Sequence, residues 1–284
     1  MKKLKKTIML VLGILVAGTL TLNAQNFQGI ATYQSARKMG GISIKGNNMS
    51  PDIEKQLQES IRKMGQKEYE LKFNLTESTW AEVESLGAAA TTETSIGGMV
   101  MSSSSGQGIK YKNTSNELYI NQTEIFGKIF LIKSELKNRE WELTNETKKI
   151  GNYTAQKAVL IEMVQRNVIS FDNDDNKETM RTDTVKIEAW FTSEIPVSQG
   201  PDKFWGLPGL IMELSDGKTT YLCTKVVLNP EEGVKIKRPS KGKKVTPEEF
   251  KVLVEEKTKE MMEKFDVKEG NGSSKTIKIQ IGGN

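Results

Sequence analysis

The sequence predicts a mainly β (α+β) fold, a curved antiparallel sheet or partial β-barrel with two amphipathic helices. Three observations predict it. Apolar and polar residues alternate with period two along stretch after stretch, turn-forming residues separate neighbouring stretches, and helical spacing of apolar residues recurs in two places. Alternation of this kind marks strands with one buried face, because successive side chains of a strand point to opposite sides.

The chain opens with Lys2, Lys3, Lys5 and Lys6, an uncharged stretch from Thr7 to Leu22, and the small-residue site Leu22-Asn23-Ala24. Residues 1–24 are therefore expected to be a signal peptide cleaved after Ala24, leaving residues 25–284 as one β-rich domain. The apolar stretch is short and diluted by Gly13, Gly18, Thr19 and Thr21, which disfavours a permanent membrane anchor. No cysteine follows it to accept a lipid. The expected product is an exported protein, periplasmic or extracellular, soluble after cleavage and not a lipoprotein.

The strand-like runs then follow in order: Ile30-Thr32, Tyr69 to Leu75, Ile109-Tyr111, Leu118-Ile120, Ile125 to Ile132, Tyr153 to Ile161, Val185 to Phe191, Leu210 to Leu214 and Tyr221 to Leu228. Turn chemistry at Lys149-Ile150-Gly151-Asn152 and Ser215-Asp216-Gly217-Lys218 predicts antiparallel hairpins. The first helix is predicted after the cap Ser50-Pro51, with Ile53, Leu57, Ile61 and Met64 on one stripe. A second follows Thr246-Pro247-Glu248-Glu249, whose spacing is that of a capping box, with Phe250, Leu253, Val254, Met261 and Phe265 on its apolar face. Residues 85–108 are rich in Ala, Thr, Ser and Gly and read as a mobile loop. Asp172 to Asp183 reads as an exposed acidic loop. The tail 270–284 carries Ile277, Ile279 and Ile281 in alternation, enough for an edge strand or a pairing segment.

Without the four leader lysines, the 41 basic and 36 acidic residues become 37 and 36, a net of +1. Nucleic acid is therefore not an expected partner, since a basic footprint must survive maturation. The cluster Lys235, Lys237, Arg238, Lys241, Lys243 and Lys244 reads as a solvated loop that an anionic surface such as lipid headgroups could also meet. Histidine is absent and Cys223 is the single cysteine. That removes the usual general base, the commonest zinc ligand and any intrachain disulfide. Cys223 reads as a half-buried strand residue, with Lys225 on its side by alternation. No residue stands out as catalytic or metal-binding, and no cofactor is expected.

The most informative stretch is Phe204-Trp205-Gly206-Leu207-Pro208-Gly209-Leu210-Ile211, preceded by Pro196, Gly200 and Pro201 and by Trp190 in the strand before it. The prolines block continuous ladder bonding and the glycines allow unusual backbone geometry, so the segment is expected to be a shaped crossover. Its large apolar residues would contribute about 1.5–3 kcal/mol each on burial, pinning it over a sheet face as a plug or leaving it as a ligand-contacting rim.

These letters, with Lys148 to Ala158 and Glu188 to Pro201, resemble the GLPGLI family of exported Bacteroidetes-type proteins. The strongest likeness covers roughly Trp141 to Leu228. The resemblance implies an exported address and a β-rich fold, and it implies no reaction. The leading expectation is a non-catalytic binding or carrier module for an apolar or amphipathic ligand or for an outer-membrane partner. A carboxylate-dependent enzyme acting on an envelope glycan and a structural brace of an outer-membrane assembly are the alternatives. An open apolar cavity beneath the crossover would favour carriage, and a filled one scaffolding.

Overall fold

The structure, a computed structural model, describes residues 27–37, 66–83, 92–96, 99–103, 108–172 and 175–266. The elements are β1 (Gln28–Arg37), β2 (Gln66–Asn74), β3 (Glu77–Glu82), β4 (Thr92–Ile96), β5 (Met99–Ser103), β6 (Ile109–Asn113), β7 (Leu118–Ile125), β8 (Lys128–Glu135), β9 (Glu142–Ile150), β10 (Tyr153–Asp172), β11 (Asp175–Thr192), β12 (Leu210–Ser215), β13 (Thr219–Leu228), β14 (Lys243–Val245) and the helix α1 (Pro247–Asp266). Twelve strands form one open, curved sheet in the order β14-β8-β7-β6-β3-β2-β1-β13-β12-β11-β10-β9. Every pairing in it is antiparallel except that of β14 with β8. Among the described residues the sheet stays open, with β14 and β9 at its edges, as expected of a curved antiparallel sheet or partial barrel.

Alternation explains which residues point inward. In β1 the inward set is Gly29, Ala31, Tyr33 and Ser35, all buried. It meets Leu71 and Phe73 from β2 and Trp80 from β3 in one core. Trp80 stacks on Tyr69 with ring centroids 4.8 Å apart and takes the edges of Tyr33 and Tyr221. Gly29 is small for a packing reason: a Cβ there would lie 2.5 Å from the Phe73 ring. The β12–β13 turn forms as predicted, Asp216 Oδ1 accepting from the backbone of Lys218 and Thr219.

Helix α1 also starts as predicted. Thr246 Oγ1 accepts from the Glu249 amide at 3.1 Å while Glu249 Oε2 accepts from the Thr246 amide at 2.8 Å, the reciprocal pair of a capping box. Phe250 and Leu253 then pack on Phe130, Ile132 and Val245.

Two loop expectations need correction. Asp175 to Asp183 is not a loop, because β10 and β11 pair without a break from Gln156↔Phe191 to Asp172↔Asp175. Ladder bonds form through the backbone whatever the polarity of the side chains, and Thr179, Thr182 and Thr184 are β-branched. Within 85–108, Thr92–Ile96 and Met99–Ser103 pair as a separate two-stranded sheet. Residues 1–24, the helix predicted after Ser50 and the tail 270–284 lie outside the described residues.

Candidate functional site: a crossover clamped onto the sheet

The segment 193–209 leaves β11 after Thr192 and re-enters the sheet at Leu210 in the adjacent β12. It straddles two cores. Ile195, Val197 and Leu210 join Tyr33, Leu71, Phe73 and Trp80, whereas Phe204, Leu207 and Ile211 join Ala158, Leu160, Ile187, Ala189, Phe191 and Leu214. Leu207, Leu210 and Ile211 are each at most 1% exposed. The side chains of the motif therefore fill the space beneath it.

Small residues make this approach possible. A Cβ on Gly200 would sit 2.6 Å from Ile211, and one on Gly209 would sit 2.1 Å from the Thr192 carbonyl oxygen. Gly206 adopts φ 99°, which bulkier residues rarely do. Pro201 is buried, while Pro196 and Pro208 face solvent. Trp205 is half-buried; its Nε1 donates to the Lys137 carbonyl at 3.1 Å and its own carbonyl accepts from Trp141 Nε1 at 2.8 Å. Trp190 is placed differently. It packs against the Tyr33 and Trp80 core, with Lys148 Nζ 4.3 Å and Lys157 Nζ 5.7 Å from its ring centre.

Polar groups that sequence reasoning missed fasten the crossover. Lys112 on β6 is 1% exposed, and its Nζ donates to the carbonyls of Gly200 at 2.6 Å and Phe204 at 2.8 Å. Burial pushes its pKa from 10.5 down to about 7, with the charges of Arg139 and Lys110 adding to that and Asp202 opposing it. Asp202, at φ 51°, accepts from Lys110 Nζ at 2.7 Å and Tyr119 OH at 3.1 Å. Burial alone would raise its pKa, but Lys110's charge and hydrogen bond outweigh that and hold the carboxyl below its ordinary value.

Four more contacts complete the clamp. Arg139 lies over the Phe204 ring at 4.7 Å and ion-pairs with Glu162 of β10. Gln199 Oε1 accepts from the Ser78 hydroxyl at 2.7 Å. Tyr33 OH donates to the Ile211 carbonyl at 2.8 Å.

Lys112 and Tyr33 donate to main-chain carbonyls, whereas Gln199, Asp202 and Phe204 of the crossover are held through their side chains. The acids near Trp190 are bound to lysines, Glu213 to Lys148 at 2.6 Å and Glu188 to Lys186 at 2.8 Å. The Lys186 hydrogen bond leads the effects that lower the Glu188 pKa, the wrong direction for a general acid. The Cys223 thiol is pushed up to about 12 by burial and is a poor nucleophile. Lys225 does not share its face as simple alternation predicts, because Tyr33 pairs with Cys223 and Thr32 with Lys225, leaving Thr224 as a bulge.

Over residues 141–213 the chain is similar to a family described as a protein of unknown function (Porph_ging). Among solved structures it is similar to PNGF-II in its C2 and P21 crystal forms, at 15% and 16% identity and TM-scores of 0.44 and 0.45. Each comparison covers 80% of this chain and 32% of the other, so the chain spans about a third of the length of the solved structures it matches. No curated protein matches it. The family match takes in β9, β10, β11, the whole crossover and the start of β12, so the clamped segment lies inside the part of the chain that is similar to a family of unknown function.

Proposed function

We propose that this is an exported cell-envelope protein of the GLPGLI kind, acting as a non-catalytic binding module whose partner is an outer-membrane protein. The observation that carries the reading is the overhang of the β10–β11 hairpin. Strand β9 pairs with β10 only as far as Val159, and β12 pairs with β11 only as far as Glu188. From Leu160↔Ile187 to Asp172↔Asp175 the two strands pair with each other alone among the described residues. At the usual rise this ribbon extends about 40 Å. Its free backbone edges are the template that strand addition by a partner uses. Near its base Ile161 and Met163 are 57% and 80% exposed.

The filled crossover supports scaffolding over carriage of an apolar ligand, since a guest needs the volume that Leu207, Leu210 and Ile211 occupy. The carboxylate-enzyme alternative draws little support from acids that are tied to lysines.

The test is site-specific photo-cross-linking in intact envelopes with the probe at Met163, and at Lys218 as a control. A discrete adduct with one outer-membrane protein, formed from Met163 alone and lost when residues 165–182 are deleted, is expected. Adducts that are identical from both positions, or that survive the deletion, overturn the reading. Stoichiometric lipid extracted from the native protein would favour carriage instead.

A further inference from the structure

We propose that the tip of the β7–β8 hairpin, centred on Phe126, docks the protein on an anionic lipid surface. The proposal goes beyond the partner-binding reading and stands on different residues. Strands β3, β6, β7 and β8 share one end of the sheet, through the pairs Ala81↔Ile109, Ile109↔Gln122 and Gln122↔Leu131. The β7–β8 hairpin overhangs that end by three further pairs, closing at Ile125↔Lys128.

Its two loop residues, Phe126 and Gly127, have φ 52° and 71°. A two-residue turn with both φ positive strongly prefers Asn-Gly or Asp-Gly, and a phenylalanine in the first position is strained. Phe126 is also 47% exposed, so the strain is not offset by burial within the fold. Backbone strain held at an exposed apolar residue points to a use outside the fold. Ile129 at 40%, Ile109 at 37% and Val83 at 37% exposure extend the apolar surface along the same end.

Charge identifies the surface it fits. Strand β14 runs parallel to β8 from Lys243↔Phe130, and a Cβ on Gly242 would lie 2.9 Å from the Ile129 carbonyl oxygen, so Lys241 and Lys243 flank the tip on its outer side. Lys128, Lys241, Lys243 and Lys244 are exposed and make no ion pair with a described residue. Of the acids nearby, Glu82 is held by Lys67 at 2.8 Å and Glu124 is exposed. An apolar tip edged along β8 and β14 by lysines that make no ion pair with a described residue, against the single exposed acid Glu124 on β7, matches a membrane interface, with the ring among the acyl chains and the ammonium groups at headgroup level. One aromatic and a few lysines give weak, reversible binding.

The test is co-sedimentation of the naturally processed protein with two kinds of vesicle, phosphatidylcholine alone and phosphatidylcholine mixed with phosphatidylglycerol. Binding to the mixed vesicles alone, weakened by salt, is expected. Phe126→Asn relieves the turn, so the variant should melt no lower than the parent while binding about tenfold more weakly. Changing Lys128, Lys241 and Lys243 to Gln should cost roughly fivefold per site, and Lys218→Gln should cost nothing. No binding by the parent protein, equal binding to both vesicle types, or unaltered binding by a well-folded Phe126→Asn variant would each overturn the proposal. Self-association lost on the same substitution, without vesicle binding, would reassign the tip to a protein contact and overturn it too.

Discussion

Lys112→Met tests the clamp most directly, because the change in stability it causes must itself vary with pH. In the parent protein the buried ammonium has a pKa of about 7, against 10.5 when free in the unfolded chain. Between those values the unfolded chain binds the extra proton and the folded one does not. Parent stability therefore rises with pH across this window, at up to about 1.4 kcal/mol per pH unit and at half that slope near pH 7, which comes to roughly 2 kcal/mol between pH 7 and 9. Methionine fills similar volume without titrating, but it leaves the Gly200 and Phe204 carbonyls without their donor, at about 1–3 kcal/mol each.

Near pH 7 that loss is offset by removal of a buried charge, and near pH 9 it is not. The variant should accordingly fall further behind the parent by roughly 2 kcal/mol over that interval. Urea unfolding followed by tryptophan fluorescence at several pH values measures the gap. Lys203, also lowered by burial, remains in both proteins, so its slope largely cancels. The raised pKa values of Tyr33, Tyr69, Tyr119 and Tyr221 act only near and above 10. A gap that stays constant from pH 7 to 9 would refute the assignment of Lys112 as a buried, titrating clamp.

Two further outcomes follow from the same geometry. Gly209→Ala places a methyl group 2.1 Å from a backbone oxygen that cannot swing away, and should lower stability by about 3 kcal/mol in chemical denaturation, whereas Gly217→Ala in an open turn should cost less because no neighbouring atom lies within 4 Å. Cys223, buried and with its thiol pushed up to about 12, should resist a thiol reagent at neutral pH and react once urea unfolds the chain; rapid labelling of the native protein would show the strand to be open.

The strands were legible because their inward residues are apolar at every second position, as at Leu71 and Phe73 or Ile187, Ala189 and Phe191. The capping box at Thr246 was legible because it depends on two residues at fixed spacing. The motif's burial was legible from Leu207, Leu210 and Ile211; its glycines read as backbone freedom, which Gly206 alone of the three uses, whereas Gly200 and Gly209 are required by close packing that no local pattern announces.

Lys112 was not. In Lys110-Tyr111-Lys112 the lysines alternate with an inward tyrosine and look solvated. Yet β6 is covered on both faces, by the crossover over Lys112 and by Ile236 against the cluster that contains Tyr111. Nothing local announces a second layer. The same holds for Asp202, whose partners Lys110 and Tyr119 come from strands more than 80 residues earlier. The β10–β11 extension escaped notice because backbone pairing, which side-chain periodicity does not report, continues past the apolar residues. The bulge at Thr224 escaped because one extra residue reverses the parity on which alternation depends.

The position of β1 ties completion of the sheet to the order in which the chain is made. Its one neighbour, β2, is synthesised soon after it, but its other edge waits for Leu228, the partner of Gly29 across nearly the whole described length. A nascent chain stopped before Thr219 would carry a bare, apolar-faced strand in the middle of what should be a continuous sheet, a site for sticking to other chains. Late closure of so distant a contact also makes for slow folding, which leaves the polypeptide time to be handled while still extended.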